Sequence, residues 1–158
     1  MVSTGRLMSV AALAVAAACG GDSGNATAPK NPGTGNRTMW ARIDGATWTA
    51  TNIAASGANG TLIVSGARGT DAVVTITASL VQGTGTQAMG RNSVALGSVT
   101  IGNTQWAAGN LLGSGSVTLT LVTATRAVGT FAFTAPAVSA STSPATKTVT
   151  QGAFDVTF

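Results

Sequence analysis

Apolar and polar residues alternate through Met39-Trp40-Ala41-Arg42-Ile43-Asp44-Gly45-Ala46-Thr47-Trp48-Thr49-Ala50, on both sides of Asp44-Gly45. Asp-Gly is a preferred pair for a two-residue type I′ hairpin turn. Closing the chain there sets Ile43 against Ala46, Ala41 against Trp48 and Met39 against Ala50, while Arg42 meets Thr47 and Trp40 meets Thr49. One face is then wholly apolar and the other polar except for Trp40. A slip of one residue would turn every side chain over, so turn chemistry and side-chain sorting agree on a single register.

The same period recurs along the chain. Residues 61–67 follow an Asn59-Gly60 turn, and residues 72–80 set Val74, Ile76, Ala78 and Leu80 against Thr75, Thr77 and Ser79. Both segments read as half-buried strands. Val117, Leu119 and Leu121 alternate with Thr118 and Thr120, and after a connection at residues 123–126 Phe131, Phe133 and Ala135 take one face of a returning strand. The chain closes on Phe154, Val156 and Phe158 against Ala153, Asp155 and Thr157. Residues 82–108, broken by Gly83, Gly85, Gly90, Gly97 and Gly102, offer short strands near 94–101 and 105–107. No helical period stands out beyond the N-terminal apolar run. Short strands with hairpin-length links predict an all-β fold, an antiparallel β-sandwich, with a small up-and-down, lipocalin-like barrel as the alternative. The 21 glycines read as turns and bulges.

The N-terminus carries a different signal. Residues 7–18 form an apolar run behind the single Arg6, shorter than the roughly 20 residues that cross a bilayer but suited to a signal peptide. It ends in Ala16-Ala17-Ala18-Cys19-Gly20, which resembles the lipobox of bacterial lipoproteins, although Ala16 stands where Leu is favoured. That resemblance implies removal of residues 1–18, acylation of Cys19 and attachment to the membrane through lipid. Gly20 rather than Asp after the Cys implies the outer membrane if the cell has two, with plain secretion or a periplasmic location as the alternative. The lone Cys can form no disulfide within the chain. Residues 20–37 have no hydrophobic period and are dense in Gly, Pro and Asn, so 19–37 reads as the lipidated Cys and a flexible tether, on the order of 25 Å across. Residues 38–158 are left as one β domain.

Composition narrows the chemistry. The chain has no His, no Tyr and no Glu, and its four acidic residues are Asp22, Asp44, Asp71 and Asp155. A general base near neutrality is usually His or a shifted carboxylate, so no enzyme is expected. Gly21-Asp22-Ser23-Gly24 reproduces the signature around a chymotrypsin-like nucleophile, but no His exists to take the serine proton. Zinc lacks its ligands, calcium lacks a D-x-D-x-D-G loop, and no dinucleotide or Walker pattern occurs. No metal and no cofactor are expected. Net charge is only +4, and Arg37, Arg42, Arg68, Arg91, Arg126 and Lys147 form no run, so nucleic acid is not the expected partner.

Ala41-Arg42-Ile43-Asp44-Gly45-Ala46-Thr47-Trp48-Thr49-Ala50, Gly129-Thr130-Phe131-Ala132-Phe133-Thr134-Ala135 and Gly152-Ala153-Phe154-Asp155-Val156-Thr157-Phe158 resemble, in order, the recurring segments of a family of small uncharacterised bacterial lipoproteins. The resemblance covers about residues 39–158. It implies a β fold at the cell envelope and carries over no catalytic or binding residue.

Tryptophan supplies the remaining candidates. Trp48 sorts with the core face, and Trp106 falls where no face can be assigned. Trp40 shares its face with Arg42, Thr47 and Thr49, where an indole and a cation can meet a partner together. The reading is an envelope-tethered, non-enzymatic structural or interaction module whose partner is an envelope protein or polysaccharide. The alternative is a β module binding a sugar or an apolar small molecule. Trp40 and Arg42 are the candidate contacts in either case.

Overall fold

A computed structural model describes residues 37–139 and 145–158. The expected signal peptide, Cys19 and residues 20–36 of the expected tether lie outside them. Eleven strands are described: β1 (Thr38–Ile43), β2 (Ala46–Thr49), β3 (Asn52–Ala58), β4 (Thr61–Arg68), β5 (Ala72–Ser79), β6 (Gly85–Met89), β7 (Leu96–Ile101), β8 (Thr104–Ala108), β9 (Ser114–Val122), β10 (Arg126–Pro136) and β11 (Thr146–Thr157). They form a six-stranded sheet in the order β2-β1-β11-β10-β9-β6 and a five-stranded sheet in the order β3-β4-β5-β7-β8. Every strand pair is antiparallel, and the two sheets pack as a sandwich without closing into a barrel.

The first hairpin has the register drawn from the sequence, Ile43 with Ala46 through Trp40 with Thr49, and Ala50 N–H donates to Met39 C=O at 2.9 Å. Asp44 and Gly45 both have positive φ, 49° and 82°, as a type I′ turn requires. Met39, Ala41, Ile43 and Trp48 point into the core with Leu62, Val64, Val74, Ile76, Val99, Val117, Leu119, Phe131, Phe133, Val149, Phe154 and Val156. The Trp48 indole N–H donates to Ala72 C=O across the sandwich at 3.3 Å, so its one polar atom is satisfied where it is buried.

Two irregularities redirect side chains. Between Val128 and Gly129 the facing residues of β9 step from Leu121 to Leu119, so Thr120 is an extra residue there. Beyond that bulge the alternation changes phase: Val122 packs on the core and Leu121 is exposed, where a strict period two expects Leu121 inside. In β11 both neighbours skip a residue near Gln151, whose φ is 51°. Val149 and Gly152 are therefore both buried, with exposed Thr150 and Gln151 between them.

The chain crosses between sheets at Ala50-Thr51, on each side of β6 and again between β8 and β9. Gln87 of β6 stitches one crossing shut. Its side-chain amide donates to Ser79 C=O and accepts from Ser79 N–H, both at 2.7 Å, so a side chain replaces a strand at the end of β5. Strand β6 has no clear counterpart in the sequence reading, nor does β3, and β7 begins at Leu96 rather than near Val94. Val94 is exposed.

Several glycines do other work than turning the chain. Gly66, Gly97, Gly129 and Gly152 lie inside strands and each meets a large side chain. A Cβ at Gly66 would come within 2.7 Å of Met39 Sδ and 2.9 Å of Trp48 Cη2, and one at Gly97 within 2.7 Å of the Phe133 ring. In the six-stranded sheet the pairs Gly129–Phe154 and Gly152–Phe131 lie directly opposite on β10 and β11. Aromatic rings thus lie over glycines, an arrangement that fills the space a missing side chain leaves.

Candidate functional site

The outer face of the six-stranded sheet can be followed strand by strand. One transverse row runs Thr86, Thr118, Thr130, Ala153, Trp40, Thr49, crossing all six strands through paired residues. Threonine is favoured on such faces because its branched side chain suits the pleat and its hydroxyl suits water. Thr86 and Thr118 share a hydroxyl hydrogen bond at 2.8 Å. Trp40, half-buried, is the one aromatic residue of this row.

Arg42 lies two residues along β1 from Trp40, on the same face, and pairs with Thr47 on one side and Thr150 on the other. It is exposed, and its Nε–H donates to Gly45 C=O at 3.1 Å, which folds the guanidinium toward the hairpin turn. Thr38, two residues the other way, pairs with Asp155. Trp40 therefore stands between a cation and a threonine along its own strand, with Ala153 and Thr49 across from it.

Asp155 is on the polar face of the last strand, as its position in the alternation requires, yet it is only 5% exposed. Arg126 grips it with a two-pronged bond, Nε–H to Oδ1 at 2.8 Å and Nη2 to Oδ2 at 2.6 Å. The bond to Asp155 and its negative charge hold the Arg126 guanidinium above its usual range against the desolvation that lowers it.

Asp44 does more than fit a turn. Its carboxylate accepts from Lys147 Nζ at 2.6 Å and from Thr148 N–H at 2.9 Å, and its own N–H donates to Thr148 C=O at 2.8 Å. These contacts tie the β1–β2 hairpin to the start of β11. Desolvation pushes the Asp44 carboxyl up, but the Lys147 bond, the Thr148 N–H and the Lys147 charge together carry it below the ordinary value of 3.8. Lys147 Nζ also lies 5.3 Å from the centroid of the Trp106 ring, within cation–π range. Trp106 itself is in the core, 4% exposed. Among the described residues the cation and indole that meet are Lys147 and Trp106, and neither had a local signal beyond residue type.

Arg68 and Asp71 form the third ion pair, at 3.1 Å across the β4–β5 turn. Among the described residues each of the three aspartates is thus bound to a cation. Among them, too, no three His, Cys, Asp or Glu side chains gather as a metal site would need. The structure places Trp40 and Arg42 on one exposed surface and separates Trp48 and Trp106 from it into the core. Cys19 and the Gly21-Asp22-Ser23-Gly24 segment lie outside the described residues.

One family model, Domain of unknown function (DUF6252), matches residues 36–156. No curated protein and no solved structure matches the chain.

Proposed function

The chain belongs to the DUF6252 family, and from the face around Trp40 we propose that it is a lipid-anchored, non-enzymatic interaction module of the cell envelope. The observation that carries this reading is the position of Trp40: of three indoles it alone stands on an outer sheet face, between Arg42 and threonine hydroxyls. An indole with a polar surround offers large contact area at low entropic cost, which is why Trp and Arg dominate binding hot spots. The carboxylates of the described residues are occupied in ion pairs that hold strands together, which supports a role in contact rather than in proton transfer.

The anchor in this proposal is Cys19, from its place in Ala16-Ala17-Ala18-Cys19-Gly20. Two or more acyl chains attach a protein stably, at about 0.8 kcal/mol per buried methylene, where one is marginal. The Gly- and Pro-rich residues 20–37 then carry the β domain clear of the headgroups, with Trp40 three residues beyond. The partner is an envelope protein or polysaccharide.

Two measurements test the proposal. The intact mass of the mature protein should correspond to a chain starting at an acylated Cys19, and Cys19→Ala should leave the membrane fraction or remain unprocessed. In native envelopes, proximity cross-linking and co-sedimentation with purified wall polymer should both be compared for the wild-type protein, Trp40→Ala and Arg42→Ala. Loss of one captured partner in both variants, at unchanged protein level, is the expected result. An unmodified thiol at Cys19 overturns the anchor, and capture indifferent to both substitutions overturns the face.

A further inference from the structure

A β-sandwich has four sheet edges, and an edge strand with free N–H and C=O groups invites another strand unless something protects it. Here the four edges are β2, β6, β3 and β8. Strand β8 is partly covered, because Trp106 bridges to Ala137 and Val138 N–H donates to Gln105 C=O at 2.9 Å. Strand β2 has four residues, beside Arg42. Strand β6 has five, bounded by Gly85 and Gly90 at φ of 136° and 142°, which depart from strand geometry. Among the described residues strand β3 has none of these protections. Its seven residues, Asn52-Ile53-Ala54-Ala55-Ser56-Gly57-Ala58, contain no charge, no proline and no positive φ. They pair with β4 in unbroken register from Asn52–Ala67 to Ala58–Thr61, and among the described residues β3 pairs with no other strand.

We propose that β3 is a pairing edge for a second copy of this chain, giving a two-fold dimer with one continuous ten-stranded sheet. The inference is independent of the Trp40 face, which belongs to the other sheet. It rests on the fit of β3 to itself. An antiparallel pairing centred on Ala55 uses all seven residues, setting Ile53 against Gly57 of the second copy and Gly57 against its Ile53. Ile53 and Ala55 are partly buried against the core, whereas Gly57 is exposed. A side chain at Gly57 would overlap the Phe158 ring, so that ring lies beside the glycine at the margin of the core. The second copy's Ile53 would cover this margin, a large residue facing the smallest. On the outer side Asn52 meets Ala58 and Ala54 meets Ser56, so nothing bulky or charged opposes its like. Main-chain bonds give affinity in such strand addition, and alternate side chains give specificity.

The test uses the full chain, expressed with its leader in bacterial envelopes. Across the proposed axis Ala55 faces Ala55, within reach of a disulfide between directly opposed residues, while Ala54 lies diagonally from its own copy. Ala55→Cys should give an oxidised species of twice the chain mass, well above the amount from the parental chain or from Ala54→Cys. The double variant Ala54→Lys, Ser56→Lys, on the exposed outer side, sets like charges opposite one another. It should reduce the detergent-solubilised protein from dimer to monomer by light scattering while retaining its β spectrum. A monomeric wild-type protein without excess cross-linking of Ala55→Cys overturns the proposal. So does a dimer that the two lysines leave intact, or a cross-linked species of any mass other than twice the chain.

Discussion

The six-stranded sheet carries Arg42, Arg126, Lys147 and Asp155 on its strands, together with every register shift among the paired strands. The five-stranded sheet carries one charge, Arg68 at the last residue of β4, and its four strand pairs run without a shift. The cores of the two sheets differ in a matching way. Trp48, Phe131, Phe133 and Phe154 come from the six-stranded sheet, while the five-stranded sheet contributes Trp106, aliphatic side chains and the glycines Gly66 and Gly97, over which Trp48 and Phe133 lie. The six-stranded sheet thus brings most of the rings and makes room for two of them itself, at Gly129 and Gly152, while the five-stranded sheet makes room for the other two. The irregular sheet is also the one whose outer face presents an indole and a cation, which the regular alternation of β1 places there while the extra residues of the bulges lie in β9 and β11.

The largest effect expected from this division is on Trp48. Truncation to Ala should cost about 3–5 kcal/mol in a denaturant melt, through lost burial and a cavity, against less than about 1 kcal/mol for Trp40→Ala on the outer face. If Trp40→Ala is the more destabilising, the two faces of the hairpin have been exchanged. Next in size is the room made by glycine. Gly66→Val and Gly97→Val should each cost about 1–3 kcal/mol by overpacking against Trp48 and Phe133. Ser98→Val, one residue from Gly97 and on the opposite face, should stay within about 0.5 kcal/mol. Equal costs at 97 and 98 would mean that the rings do not need the glycine.

The smallest effect concerns the tie between hairpin and β11. Asp44 has a carboxyl held below its ordinary value when folded, so its contribution is present above about pH 4 and is lost as pH falls through the lowered value. Its side chain is 41% exposed, and solvent screening keeps the contribution at no more than about 1 kcal/mol. Asp44→Asn should lower stability at neutral pH by that order and flatten the acid limb of the stability curve below pH 4. An unchanged acid limb would remove Asp44 from the account.

Legibility in the sequence followed burial and sequence distance. Strands β1, β2, β4, β5, β9, β10 and β11 announced themselves through alternating large apolar residues, and β10 buries Phe131, Phe133 and Ala135 as its pattern indicates. The two strands without a clear sequence signal, β3 and β6, are both sheet edges. An edge has a partner on one side only, and β3 is made of Ala, Ser, Gly, Asn and a single Ile, so its period is faint. Trp40 and Arg42 were legible as neighbours on one face because residues two apart in a strand point the same way. Lys147 was not, since its contact with Asp44 spans 103 residues.

The sequence by itself determined the all-β class, the first hairpin and the inward or outward sense of its side chains, because these depend on turn dihedrals and a period of two within a dozen residues. Only the tertiary structure decided that β1 lies beside β11, that two open sheets form in place of a barrel and which strands are left as edges. It alone settled the ion pairs of the described residues and the glycines that receive aromatic rings. Those features are pairings between distant segments, and their energy resides in the fit of one surface to another, which no local pattern encodes.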